Sequence, residues 1–198
     1  MLDPRKRGAW YGDPEFKAII MAQMLEHRKK DRFIKGSYRD FGGDGDGYDA
    51  LVQTMDNFKG CAIGCLVTSK LGLNLDRTLP AWEGWHRLVE KEFNIPARVA
   101  KQIDFLFESQ PSFADAAIFA VASVDAIPVG ANLEELVTRL DHAAWHEGGF
   151  YRPYRPVDMY ECLDCQDSAR LHHESDVFLK ELSNAPLMPA ARALILAG

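Results

Sequence analysis

Ser112-Phe-Ala-Asp-Ala-Ala-Ile-Phe-Ala-Val-Ala-Ser-Val124 is the stretch on which the fold class turns. Its near-continuous apolar character permits two readings, a buried helix opened by Ser112 or a strand running through Ile118 to Val124. Alanine is the strongest helix former and recurs through the run, so the helical reading is taken.

Working outward toward the carboxy terminus, Asn132 with Glu135 three residues on resembles a capping box, and Leu133, Leu136, Val137, Leu140 and Ala144 follow on one side. That helix is expected to end near Glu147, ahead of Gly148 and Gly149. Tyr151-Arg-Pro-Tyr-Arg-Pro156 reads as an irregular crossing, because each proline removes a donor and restricts the residue before it. A further helix is expected from Ser168 to Leu182, and a short one after Pro189.

Toward the amino terminus, Pro96 opens a helix with Val99, Ile103, Leu106 and Phe107 on one face, and Trp82, Trp85, Leu88, Val89 and Phe93 mark the helix before it. Cys61 to Thr68 is an apolar helical segment opened near Asn57 and ended by Gly72, with a helical turn over Asp49 to Met55 ahead of it. Phe41-Gly-Gly-Asp-Gly-Asp-Gly-Tyr48 is too glycine-rich for regular structure and reads as a loop. Asp13 and Pro14 supply a cap and a first-turn proline for a helix carrying Phe16, Ile19, Ile20, Met24 and His27 on its apolar side. The expected fold is all-α, about seven helices in a single domain over residues 1–198. Residues 1–12 are expected to be flexible, and residues 150–198 to form a helical extension packed on the core.

The chain of 198 residues is 47% hydrophobic and 26% charged, which is ordinary globular composition. A net charge of -6 disfavours nucleic acid as a partner, since phosphate binding needs clustered Lys and Arg. No run of apolar residues is long enough for a membrane span, and the first residues lack the apolar core of a secretory signal. The four cysteines suit a reducing compartment better than a disulfide framework, so a cytoplasmic location is expected.

Asp31-Arg-Phe-Ile-Lys-Gly-Ser-Tyr38, Phe58-Lys-Gly-Cys-Ala-Ile-Gly-Cys65, Asn94-Ile-Pro-Ala-Arg-Val-Ala100 and Ala126-Ile-Pro-Val-Gly-Ala-Asn-Leu133 resemble segments of a bacterial protein family to which no activity is attached. The resemblance spans roughly residues 27 to 140 and implies a single domain and no particular function.

Five constellations carry potential chemistry. Cys61 and Cys65 lie one turn apart, with Gly60 and Gly64 allowing close approach of another segment. A thiol at a helix start has its thiolate favoured by the backbone dipole, so Cys61 is the candidate nucleophile, with His27, His86, His142 or His146 as its base. Cys162 and Cys165 with His172 and His173 offer ligands of the kind zinc prefers, although adjacent histidines diverge by about 100° on a helix and only one joins readily. His142 and His146 share a helical face suited to a transition metal. Asp40, Asp44, Asp46 and Asp49 suggest calcium, but an EF-hand counted from Asp44 would need glycine at Asp49 and glutamate at Met55. Tyr151, Arg152, Tyr154 and Arg155 interleave aromatics with cations in an exposed-looking crossing.

With no P-loop, dinucleotide fingerprint or serine elbow in the chain, the leading expectation is a non-enzymatic helical protein that binds another macromolecule, most simply a protein. Two alternatives stand beside it: a thiol-dependent enzyme built on Cys61 and a histidine, and a zinc-stabilised binding module built on Cys162, Cys165 and His172. Apart from zinc, no cofactor is expected.

Overall fold

The computed structural model describes residues 7–40, 54–73, 83–138 and 165–189. The fold is all-α: helices α1 (Pro14–Lys29), α2 (Ala62–Leu71), α3 (Glu83–Phe93), α4 (Ala97–Ser109), α5 (Phe113–Ala126) and α6 (Cys165–Ser183), preceded by a 3-10 turn over Ala9–Gly12. Residues 134–138 begin a further helical segment. Among the described residues there are only isolated bridges, pairing Phe33 with Gly60, Asp40 with Lys59 and Ala131 with Leu187. None of the described helices is long and apolar enough to cross a membrane.

Local chemistry accounts for the helix ends. Asp13 accepts from the Phe16 backbone N–H at 3.0 Å with Pro14 at the first position, and Ser112 accepts from Asp115 N–H at 3.1 Å. The stretch from Ser112 is therefore a helix, as its alanines predict. Asn132 Oδ1 likewise accepts from Glu134 N–H at 3.2 Å, and Gly72 ends α2 in the left-handed region at φ 64°. The cap of α2 falls later than Asn57: Cys61 itself takes that place, while Asn57 holds the preceding turn through Thr54.

Helix α2 is the centre of the structure. Every residue from Ala62 to Thr68 is buried, and the helix packs on α1, α3 and α4, as a helix apolar on all sides must. Val99, Ile103, Leu106 and Phe107 of α4 are all buried, so the stripe read from their spacing is the true packing face. On α1 the stripe is narrower than its spacing suggests, since Ile20, Met24 and His27 are buried while Ile19 stays 56% exposed. Helix α6 packs on α5 and α4 with Phe178 and Leu182 fully enclosed.

Residues 7–12, part of the start expected to be flexible, are packed against the core. Ala9 and Trp10 are completely buried, Trp10 Nε1 donates to the Ile127 carbonyl at 3.0 Å, and its ring meets Phe93 edge-on at 5.8 Å. Burying an indole of this size offsets the left-handed backbone that Trp10 and Tyr11 adopt at φ 59° and 54°. Residues 1–6 lie outside the described region, as do residues 49–53 of the expected helical turn, the glycine loop, most of the expected helix to Glu147 and the helix after Pro189.

His27 supplies a pH dependence. Ser69 gives its hydroxyl proton to the Cys65 carbonyl at 2.8 Å, so His27 Nε2 is the donor in the 3.2 Å contact with Ser69 Oγ. Its Nδ1 is enclosed with no hydrogen-bond partner, and a proton placed there would charge a buried ring beside Arg32. Burial first, and Arg32 second, lower the pKa of His27 from 6.5 to about 4. The unfolded chain thus binds a proton that the folded chain refuses, and stability is complete above pH 6.5 and falls as the pH approaches 4. The loss reaches about 3 kcal/mol at the lower end, at 1.36 kcal/mol per unit. Urea midpoints measured between pH 7 and 4 are expected to show this slope, and His27→Leu is expected to flatten it.

Candidate functional site

The site begins with a close backbone approach. The chain after α1 runs beside the entry to α2, with Ile34 N–H bonded to the Gly60 carbonyl at 3.0 Å, Gly60 N–H to Arg32 at 2.9 Å and Cys61 N–H to Ser37 at 2.7 Å. Tyr38 is thereby laid directly over two glycines. A Cβ on Gly64 would stand 1.8 Å from the Tyr38 carbonyl oxygen, and one on Gly60 2.5 Å from the same atom. The approach that Gly60 and Gly64 permit is made by the backbone of Tyr38.

From there the Tyr38 ring stacks on Trp85 of α3, with centroids 5.2 Å apart and planes within 6°. Its hydroxyl donates to Asp104 Oδ2 of α4 at 2.7 Å. His86, next to Trp85 on α3, reaches the same oxygen through Nε2 at 3.1 Å. Two donors therefore converge on Oδ2, while Oδ1 of the same carboxylate is enclosed and has no hydrogen-bond partner. Glu108, one turn further along α4, accepts from Gly36 N–H through Oε2 at 2.9 Å.

Cys61 closes the group. Its sulfur accepts from Gly64 N–H at 3.5 Å, as the cap of α2, and the residue is only 1% exposed. One ligand atom from each of Cys61, Asp104 and Glu108 lies within 4.8 Å of the other two. Around a tetrahedral zinc ion with bonds of 2.0–2.3 Å, ligand atoms would stand roughly 3.3–3.8 Å apart, so these three would have to draw together by up to about 1 Å to share one ion.

The electrostatics of the group follow from its burial. Desolvation, reinforced by the Asp104 carboxylate, pushes the Cys61 thiol well up, against the favourable Gly64 N–H. A helix start favours a thiolate by roughly 0.3–1 kcal/mol, whereas full burial shifts a group by up to about 3–5 pKa units, so burial wins. Burial thus outweighs the helix start on which the expectation of an activated thiolate rested. Burial also lifts Glu108 to about 7, with the Gly36 N–H opposing it, and raises the Tyr38 phenol with Asp104 adding to the effect. At neutral pH the group holds protons on Cys61 and Tyr38 and part of one on Glu108.

Of the histidines considered as partners for Cys61, His86 bonds to Asp104 and His27 to Ser69, while His142 and His146 lie outside the described residues. Cys65 is buried one turn beyond Cys61 with its thiol directed to the Gly60 carbonyl at 3.4 Å, and burial raises its pKa. Cys162 and the stretch Tyr151, Arg152, Tyr154 and Arg155 are outside the described residues, as are Asp44, Asp46 and Asp49. Cys165 and His172 are placed only as positions on α6, and His173 is exposed there. Asp40 is exposed and its backbone pairs with Lys59.

Tyr38, Asp104 and Glu108 were not singled out from the sequence. The available signal was two carboxylates four residues apart beside the apolar stripe of α4, a like-charge pair that an isolated helix would avoid. Set against known proteins, the chain matches no family model, no curated protein and no solved structure.

Proposed function

We propose that this protein binds a divalent metal ion of the zinc class through Cys61 Sγ, Asp104 Oδ1 and a Glu108 carboxylate oxygen. The observation that carries this reading is the convergence of three ligand residues from α4 and the cap of α2, with Asp104 Oδ1 enclosed and without a nitrogen or oxygen donor and the protonated Cys61 thiol interacting with the same carboxylate. A thiolate with two carboxylates combines one soft donor and two hard ones, a set that suits zinc or cobalt and not calcium or magnesium, which take oxygen alone. Together the ligands would carry three negative charges against the ion's two positive ones, replacing the protons that Cys61 and Glu108 hold in its absence. By contrast, an enclosed, protonated thiol is the reverse of what an attacking nucleophile needs.

The test is a titration of the full chain with cobalt(II) under reducing conditions. One equivalent is expected to produce a thiolate-to-cobalt charge-transfer band, displaced by zinc. Binding must also tighten with pH. Below about pH 7 the ion displaces protons from both Cys61 and Glu108, so affinity should rise by about two decades per pH unit; above it only the thiol proton remains and the slope should fall to about one. Absence of any band at micromolar protein and excess cobalt refutes the proposal.

A further inference from the structure

Asp104 and Glu108 are each tied to the fold through one carboxylate oxygen, which leaves the other for an ion, while Cys61 offers its single sulfur. Asp104 is held at Oδ2 by Tyr38 and His86, Glu108 at Oε2 by the Gly36 N–H, and Cys61 by the Gly64 N–H on its sulfur. The Asp104 arrangement is the most specific, because two donors from different elements share one oxygen. Tyr38 Oη and His86 Nε2 also stand 3.4 Å apart, so each limits the other's freedom. Trp85 stacks on the tyrosine and the His86 side chain is only 5% exposed, which leaves neither ring room to turn. A carboxylate gripped this way at one oxygen presents the other alone and cannot chelate through both.

We infer that Tyr38 and His86 are positioning residues that commit Asp104 to the ion through Oδ1, so that the ion has three protein ligands and a fourth place open to water or a small anion. This inference rests on the metal-binding reading. Three protein ligands with an exchangeable fourth is the pattern that separates reactive zinc sites from closed structural ones. His86 acts here through Asp104, because its Nε2 is already occupied at Asp104 Oδ2. The Asp104 side chain keeps 14% of its surface exposed and Glu108 is only partly buried, so the site has an edge from which a small ligand can enter.

The experiment uses the cobalt(II)-loaded full chain with azide as the probe. Millimolar azide is expected to shift the visible cobalt bands while leaving the thiolate charge-transfer band in place. Tyr38→Phe and His86→Ala are each expected to weaken cobalt binding by about 10- to 100-fold, the usual effect of losing an outer partner of a ligand, and His86→Gln, which keeps a donor, to restore most of it. The thiolate band and the azide response should persist in all three variants. Tyr38→Phe removes a single oxygen, so it carries the test if His86→Ala does not fold.

Cobalt bands indifferent to azide would mean a closed site and overturn the inference while leaving metal binding intact. So would visible bands in His86→Ala that report the loss of a nitrogen ligand, or variants that bind as tightly as the parent chain. A parent chain that binds no cobalt removes the metal reading and this inference with it.

Discussion

Cys61→Ala is expected to abolish the thiolate-to-cobalt band and to weaken zinc binding by roughly a hundred- to a thousand-fold. The magnitude comes from dividing the roughly 10–16 kcal/mol of a four-ligand zinc site among its ligands, which assigns about 2.5–4 kcal/mol to each. The same substitution should cost the ion-free protein only about 1 kcal/mol, because the lost sulfur made one long cap contact to Gly64 N–H at 3.5 Å and a contact with the Asp104 carboxylate, and its volume is small. Metal affinity and thermal stability should therefore separate. A variant whose melting temperature collapses while its residual zinc affinity matches the parent's would assign Cys61 to packing alone. Asp104→Asn offers the complementary case, since it keeps the shape of the side chain and an oxygen for Tyr38 and His86 while removing the charge that attracts the ion.

Gly64→Ala should be the most damaging single methyl in the described structure. Its Cβ would lie 1.8 Å from the Tyr38 carbonyl oxygen and 2.7 Å from the carbonyl carbon, both main-chain atoms with no rotamer to yield. Relief requires the segment bearing Tyr38 to move by more than an ångström, which breaks the Cys61 N–H bond to Ser37 and draws Tyr38 away from Asp104. Overpacking of this kind costs about 3 kcal/mol or more, equivalent to a fall in melting temperature of roughly 6–12 °C for a chain of this size. Gly72→Ala is the control. There φ is 64° with ψ -153° and nothing stands within 4 Å, so only the backbone penalty applies, about 1–3 kcal/mol. A Gly64→Ala variant that melts with the parent chain would show that the close approach of Tyr38 over α2 is absent in solution. Cobalt affinity should fall in Gly64→Ala and remain unchanged in Gly72→Ala.

The helices were legible because their causes are local. Asp13, Ser112 and Gly72 act on backbone groups within three or four residues, and the spacing of Val99, Ile103, Leu106 and Phe107 reports one face of one helix. The close approach permitted at Gly60 and Gly64 could be read in the same way, because a missing side chain is visible in sequence even when its neighbour is not. Ile19 and Trp10 show where local reading stops. Spacing placed Ile19 with the buried side of α1 although no described element covers it, and the segment around Trp10 looked loose because the Ile127 carbonyl and the Phe93 ring that hold it come from far along the chain.

Taken alone, then, the sequence determined that the chain is helical, where most of its described helices begin and end, and that Cys61 stands at the head of one of them. Only the tertiary structure decided what that cysteine can do. Tyr38 and Asp104 are 66 residues apart, and no periodicity relates them to each other, to His86 or to Cys61. Desolvation, the term that governs the thiol, depends on which distant segments cover it. The backbone dipole is local and weak, the burial is non-local and strong, and the character of the site follows the stronger of the two.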